Sequence, residues 1–193
     1  YNRLIAQLKA YWSHNPGKKI ILFSFFKATL RYLKARLEKD GFLSQLLYGG
    51  LDKDVALSTF QSSSTVNILL ASEVASEGVD LQFSSLVINY DLPWNPMRVE
   101  QRIGRIDRIG QSEKKILIWN FFYQDSIDDR IYIRLYNKLR IFEEALGGME
   151  EIIGDRLENM AKQYLLHNLS DQQLELLEKQ EDQVIEHVKN LEK

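Results

Sequence analysis

The sequence has 193 residues, enough for one domain with a substantial core and an appendage, since domains cluster near roughly 100 to 150 residues. Its 25 basic and 27 acidic residues give a net charge of −2, which argues against a generic polyanion binder, so we expect any nucleic-acid contact to be a local patch. The chain has no cysteine, and its three histidines are too scattered for a metal cluster, so we expect no metal site.

Hydrophobic residues make up 45% of the chain and charged residues 27%, as in soluble globular proteins. Apolar runs stay well below the roughly 18 residues of a membrane-spanning helix, and the first residues lack the apolar core of a signal peptide. We therefore expect a soluble protein without a membrane partner and with a cytoplasmic location, and nucleoid association is left open.

Helical and extended patterns alternate along the first part of the chain. Apolar residues from Asn2 to His14 recur at three-to-four spacing and predict a helix, and Lys19 to Phe26 is an apolar run typical of a strand buried on both faces. The later predicted elements are a helix over Thr29 to Asp40, a strand near Ser44 to Tyr48, a helix from Asp52 to Gln61, strands over Val66 to Ala71 and Leu86 to Tyr90, a helix near Pro96 to Arg105 and a strand from Ile116 to Phe122. This alternation predicts an α/β fold with a parallel sheet flanked by helices.

The pattern changes near residue 125. No strand signal returns after Ser126, and three glycines interrupt an otherwise helical sequence. We therefore predict an α/β domain over residues 1–125 and an all-helical brace and tail over 126–193. A short heptad-like stripe in the last segment favours a helix packed on this chain or a neighbour over a dimerising coiled coil, which needs more heptads.

The segment from Glu100 to Gln111 contains the strongest chemical signal. Arg102, Arg105 and Arg108 recur at every third position, so on a helix they would form a stripe along one side. Such a stripe can be a solvated face, but a glycine inside a helix costs about 1 kcal/mol relative to alanine and favours close approach to the backbone, here at Gly104. The permanently charged guanidinium fork can hold two phosphate oxygens, which suits phosphoryl transfer.

Residues 101–111, QRIGRIDRIGQ, resemble motif VI of superfamily 2 motors in the QRxGRxxRxGQ form of Swi/Snf-type ATPases. The resemblance implies the second RecA-like lobe of such a motor. In that lobe Arg105 and Arg108 would be catalytic arginine fingers that reach the γ-phosphate of ATP, and Gln101 would position them. Gly104 would belong to the nucleotide site.

Residues 69–81, LLASEVASEGVDL, resemble motif V, in which a strand ends in a turn that faces the nucleic-acid backbone. The carboxyl end of a parallel strand is also where α/β sheets bind ligands. The resemblance implies that Asp80 meets the nucleotide ribose beside Gly78, and that Ser72 and Ser76 contact the nucleic acid. A plain turn in which Gly78 supplies a positive φ is the structural alternative. The SEGVD form departs from the commoner eukaryotic pattern and is closer to bacterial relatives, which leaves the ribose contact less well defined.

Three weaker matches complete the predicted nucleic-acid surface. Ile20 to Phe26 resembles motif IV, Tyr48 to Leu51 resembles a turn that opens a helix toward the phosphate backbone, and Tyr90 to Pro96 fits the loop between motifs V and VI. The implied nucleic-acid contacts are Ser24, Gly49, Gly50 and Trp94. A buried strand, a tight turn and a tryptophan that anchors its loop are the alternatives, although Trp94 could stack on a base.

A complete motor also needs a phosphate-cradling loop and an acidic Mg²⁺ motif, which this family carries on its first RecA-like lobe. Asn15 to Lys19 does not supply the loop, because Lys19 stands where a serine or threonine should hold the metal. The chain also starts at Tyr1 rather than Met, as an excised piece would. We therefore expect ATP and Mg²⁺ to be held mainly by an N-terminal lobe of the same parent chain, and the isolated chain to be inactive.

The expected partners are that N-terminal lobe and DNA, with duplex DNA favoured, or RNA. The expected output is translocation along nucleic acid. Two alternatives remain: a non-catalytic module of the same fold that binds nucleic acid or protein, and the lobe of an RNA helicase.

Overall fold

The computed structural model describes residues 1–73, 78–93, 97–106, 115–124, 126 and 129. The helices within these residues are α1 (Asn2–His14), α2 (Lys27–Lys39), α3 (Lys53–Ser62) and α4 (Met97–Ile103). The strands are β1 (Ile20–Phe23), β2 (Ser44–Leu47), β3 (Ile68–Ala71), β4 (Leu86–Asn89) and β5 (Leu117–Asn120). Each lies where the sequence pattern predicts an element of its type. In the described part of the chain, no helix combines the length and apolar character needed to cross a membrane.

The five strands form one parallel sheet in the order β2-β3-β1-β4-β5. The central strand β1 pairs with β3 and β4 in register, so that Phe23 lies level with Ala71 on one side and Asn89 on the other. Every residue of β1, β3 and β4 is buried, which explains why these segments are continuous apolar runs rather than alternating ones. The prediction of a parallel α/β sheet flanked by helices is confirmed.

Each face of the sheet has its own apolar core. Alternate side chains of β1 point to opposite faces, so Ile20 and Leu22 join one cluster and Ile21 and Phe23 the other. The first cluster includes the buried stripes of α1 and α2, and the second includes Phe60 of α3. Full burial of one such side chain stabilises the fold by about 1.5–3 kcal/mol.

The end of α2 fixes where the chain turns back to the sheet. Gly41 has a φ of +83°, and its N–H bonds the carbonyl of Glu38 at 3.1 Å. The N–H of Phe42 bonds the carbonyl of Leu37 at 2.8 Å, so the two bonds close a Schellman motif. The predicted helix stop at Gly41 therefore has a specific geometric cause.

The chain divides into two compact units, Tyr1–Leu92 with Gln101–Phe122 and Pro93–Glu100 with Tyr123–Lys193. The sheet and both cores belong to the first unit. The predicted helical tail lies outside the described residues except at positions 126 and 129. The boundary after residue 125 and the helical character of the tail therefore stay predictions.

Candidate functional site

The carboxyl ends of four strands lie at one edge of the sheet, and the predicted nucleic-acid contacts Ser24 and Ser72 lie there. Because the strands are parallel and in register, Ser24, Tyr48, Ser72 and Tyr90 each follow a strand at the same level. Backbone bonds continue the ladder there, from the N–H of Ser24 to Ala71 at 3.1 Å and from the N–H of Ser72 to Leu47 at 2.8 Å. Open α/β sheets bind ligands at this edge.

Ser24 directs its hydroxyl into the protein. The residue is fully buried, and its hydroxyl donates to a carboxylate oxygen of Asp91. The other oxygen of Asp91 accepts the N–H of Phe25 at 2.9 Å. Asp91 therefore holds the residues that follow β1 in place by two hydrogen bonds. The sequence patterns did not predict this role, although Asp91 lies two residues after the buried strand β4. A nucleic-acid contact from Ser24 stays a prediction.

Ser72 has a different environment. It is only 6% exposed, and its hydroxyl has no hydrogen-bond partner among the residues that the structure describes. A buried hydroxyl without a partner costs about 1–3 kcal/mol, so such groups in native proteins usually have a ligand or another role. The hydroxyl of Ser44 is also buried without a partner in the described part of the chain, so a nucleic-acid contact from Ser72 stays a prediction.

The turn at the end of motif V holds an exposed carboxylate. Gly78 has a φ of +72° with open space around its α-carbon, so glycine serves this turn through its backbone conformation. Asp80 accepts the backbone N–H of Gln82 at 3.1 Å and its side-chain amide at 2.7 Å, which fixes the carboxylate at the surface. The N–H of Leu81 bonds the carbonyl of Arg105 at 3.2 Å. The predicted ribose position and the predicted finger segment are thus joined through the backbone.

The arginine segment is not one continuous helix. Helix α4 ends at Ile103, and residues 104–106 form a turn with backbone bonds from Arg105 to Arg102 at 3.3 Å and from Ile106 to Ile103 at 2.8 Å. The placement of Gly104 inside a helix, and of its arginines along one helical stripe, was therefore wrong for Arg102 and Arg105. A turn lets neighbouring arginines face different surroundings, whereas a helix would have aligned them.

Arg102 is almost completely buried, with an exposed fraction of 1%. Its Nη1 donates to Asn89 at 2.5 Å, and its Nη2 forms an ion pair with Glu73 at 3.4 Å. The guanidinium lies over the rings of Phe23 and Phe25 at 4.9 and 5.3 Å. This side chain therefore ties the arginine segment to the ends of β1, β3 and β4.

Arg105 is half-buried, and no residue in the described part of the chain forms an ion pair with its guanidinium. Gln101 and Gly104 are exposed beside it in sequence. Three other predicted contacts, Ser76, Trp94 and Arg108, lie outside the described residues. Of the two described arginines of this motif, Arg102 is in an ion pair and Arg105 has no ion-pair partner among the described residues.

A cluster of cations surrounds the turn after β2, and sequence reasoning did not select it. Lys27 and Arg31, one turn apart on α2, place their charges 5.5 and 5.4 Å from the ring centre of Tyr48. The Nζ of Lys27 donates to the carbonyl of Gly49 at 2.8 Å, and the Nε of Arg31 donates to the hydroxyl of Tyr48 at 3.3 Å. Gly50 follows with a φ of +102°. We call Lys27, Arg31, Tyr48 and Gly49 the exposed basic cluster.

Lys19 is excluded from a phosphate-binding role by its hydrogen bonds. Its Nζ donates to the carbonyls of Phe60, Ser63 and Val66 at 2.5, 2.6 and 2.8 Å. Burial lowers the pKa of this ammonium. The three carbonyl oxygens near the end of α3 accept its hydrogen bonds in place of water. Lys19 therefore stabilises the fold.

Comparison with known proteins places these features in one family. The family model of the helicase conserved C-terminal domain matches residues 2–110. An uncharacterized ATP-dependent helicase of Bacillus subtilis, YqhH, is 35% identical over 165 residues, which are 82% of this chain and 29% of that protein. The RNA polymerase-associated protein RapA of Erwinia tasmaniensis is 39% identical over 109 residues, 54% of this chain and 11% of RapA.

A solved structure shows the same architecture. The crystal structure of the C-terminal part of the Fun30 ATPase domain matches with a TM-score of 0.65 and 26% identity, over 86% of this chain and 53% of that one. The chain thus spans less than a third of the curated relatives it matches, 29% of YqhH and 11% of RapA.

Proposed function

This chain belongs to the family of helicase conserved C-terminal domains related to Snf2-type helicases, and from that membership we propose that it is the second motor lobe of an ATP-dependent translocase. In this proposal the lobe supplies arginine charge to a nucleotide and binds a nucleic-acid backbone. The first motor lobe, in the rest of the parent protein, supplies the remaining nucleotide contacts.

The observation that carries the nucleotide side is the bond between Leu81 and Arg105. It fixes the backbone beside Asp80 to the backbone of Arg105, with an N···O distance of 3.2 Å. This bond therefore links the segment that carries the Asp80 carboxylate, which suits a ribose hydroxyl, to the segment that carries the Arg105 guanidinium, which suits phosphate oxygens. Such preorganised charge needs little rearrangement when the transition state forms.

The described residues fit the nucleotide and do not fit its metal ion. Arg105 is half-buried without an ion-pair partner among the described residues and Asp80 is exposed, so both can face a nucleotide at the lobe surface. Within the described ranges no three His, Asp or Glu side chains come together in a way that could hold Mg²⁺. Metal binding by the first lobe rests on the family resemblance.

Arg105 would stabilise the charge that develops on a transferring phosphoryl group, which is the chemistry that bound ATP supplies. Arg108 would act with it and Gln101 would help to place both side chains. These last two roles rest on the motif alone.

The nucleic-acid side of the proposal rests on the strand ends. Ser72 offers a buried hydroxyl that has no partner in the described part of the chain, and the exposed basic cluster offers two cations around Gly49. Hydroxyls, backbone N–H groups and cations of this kind bind phosphates without reading sequence. The lobe would therefore hold one strand by its backbone, with Ser24, Gly50, Ser76 and Trp94 as further contacts implied by the motifs.

Closure of the two lobes on ATP and reopening after hydrolysis would move the bound strand stepwise. The family resemblance favours translocation along duplex DNA without strand separation as the output. A non-catalytic binding module would keep nucleic-acid affinity but need no accessible Arg105.

The test uses the parent protein with both lobes and measures ATP hydrolysis with saturating duplex DNA. Replacement of Arg105 by alanine should lower kcat by about 10³-fold or more, because arginine fingers contribute 10³–10⁵ in rate. Arg36→Ala is the matched control, since Arg36 is an exposed cation on α2 that lies over the Tyr1 ring at 4.7 Å. A full rate in Arg105→Ala would refute the finger assignment.

The same assay decides the substrate. Stimulation by duplex DNA above single-stranded DNA and structured RNA is expected for a duplex translocase. Preferential stimulation by structured RNA would instead identify an RNA helicase lobe.

A further inference from the structure

Glu73 joins the two halves of the proposed site. It follows Ser72 directly in sequence, and its carboxylate forms the ion pair with Arg102 at 3.4 Å. Arg102 in turn accepts, through its carbonyl, the N–H of Arg105 at 3.3 Å. A continuous series of interactions therefore runs from the proposed nucleic-acid hydroxyl to the proposed finger.

The ion pair is largely shielded from solvent and tightly surrounded. The side chains of Arg102 and Glu73 are only 1% and 12% exposed, so water does not screen the pair as it would at the surface. The cation is also confined by Asn89 and by two aromatic rings. Because packed interiors resist gradual deformation, a shift of the strand end at residues 72–73 must be taken up by Arg102 and the turn that follows it.

The pair also reaches across the sheet. Asn89 accepts from Arg102, and its own amide donates to the side chain of Asn120 on β5 at 2.8 Å. One guanidinium therefore touches the ends of β1, β3 and β4 directly and reaches β5 through a single amide. Because Arg102 is buried and contacts protein groups on several strand ends, we assign it to contacts within the protein and not to a ligand.

We propose that the Glu73–Arg102 ion pair couples nucleic-acid binding to ATP hydrolysis, so that a strand held at Ser72 brings Arg105 into its active position. This inference rests on the proposed function, and it assigns Glu73 and Arg102 as positioning residues rather than catalytic ones. Linkage makes the effect of nucleic acid on ATP affinity equal to the effect of ATP on nucleic-acid affinity, whereas the effect on kcat carries no such equality.

The test replaces Glu73 by glutamine in the two-lobed parent protein. ATP hydrolysis is measured with and without saturating duplex DNA, giving a stimulation factor and a KM for ATP in each state. The stimulation factor should fall by about tenfold, within the 5–150-fold range of allosteric coupling, while DNA-free kcat stays within about twofold.

A second readout uses duplex DNA affinity with and without a non-hydrolysable ATP analogue. In Glu73→Gln the analogue should tighten duplex DNA binding less than it does in the unmodified protein. Glu73→Asp keeps the charge with a shorter reach and should retain part of both effects, and it serves in place of Glu73→Gln if that variant does not fold. Glu38→Gln, which removes an exposed partner of Lys34 on α2, is the matched control and should change neither.

Equal losses in DNA-free and DNA-stimulated rates would overturn the inference, because a purely structural role predicts them. An unchanged stimulation factor in Glu73→Gln would also overturn it. Failure of the proposed function itself would look different, since the unmodified protein would then show no stimulation and Arg105→Ala would have no effect.

Discussion

Two regions of this lobe place cations over aromatic rings, and they differ in burial. Around Arg102, a guanidinium with 1% exposure lies over Phe23 and Phe25 and contacts Asn89 and Glu73. In the exposed basic cluster, Lys27 and Arg31 lie over Tyr48 but remain accessible to solvent. The same chemical pairing therefore positions backbone in one place and presents charge in the other, and burial decides between the two roles.

The largest expected effect on folding separates these regions directly. Replacement of Arg102 by alanine removes the ion-pair partner of buried Glu73 and the donor to Asn89, so the free energy of unfolding should fall by about 3–5 kcal/mol. Urea denaturation followed by circular dichroism measures it. Arg31→Ala is the control and should stay within about 0.5 kcal/mol, as surface substitutions usually do. Similar losses in both variants would remove the distinction between the regions.

The exposed basic cluster should matter for binding instead. In Lys27→Ala/Arg31→Ala, duplex DNA affinity should fall for all sequences alike, and the slope of log affinity against log salt should shrink by roughly 0.9 for each phosphate that the lobe no longer neutralises. Fluorescence anisotropy of the two-lobed protein across a salt series gives both values. Arg3→Ala/Lys9→Ala removes two exposed charges from α1 as a matched control. A slope that changes equally in both double variants would show only a general charge effect.

A smaller effect on stability is expected at the start of α3, the helix that follows the exposed basic cluster in sequence. Asp52 caps α3 just after the glycine turn, and its carboxylate accepts the N–H of Val55 at 3.0 Å. Asp52→Ala should cost about 1 kcal/mol of stability, whereas Asp52→Asn retains a capping oxygen and should cost much less. Thermal unfolding of the two variants measures the difference. Equal stability of both variants would contradict a capping role.

Local sequence patterns were sufficient for the elements and their order. Helix α1 has the bounds Asn2–His14 that its apolar spacing predicts, and continuous apolar runs mark the strands β1, β3 and β4. Strand β1 ends at Phe23, before the predicted Phe26, because the chain turns there and α2 begins at Lys27. The apolar character of residues 24–26 does not predict that turn.

The site was less accessible from sequence than the fold. Motif VI singled out Arg105 with Arg108, and the spacing of three residues placed Arg102 on the same helical stripe, but neither predicted that Arg102 would be buried. Asp91, Lys27 and Arg31 were not selected, because each acquires its role from a residue distant in sequence: Ser24 for Asp91 and Tyr48 for the two cations.

The sequence by itself determined the alternation of strands and helices, the parallel sheet and the family, since these depend on local periodicity and on motif order. The tertiary structure decided that Arg102 is buried in an ion pair and that Arg105 has no ion-pair partner in the described part of the chain. That difference arises because a turn begins at Gly104, and because Glu73, Asn89 and Phe23 converge on Arg102 from three separate strand ends. Solvation of a charge depends on neighbours in space, and a linear spacing of residues does not specify them.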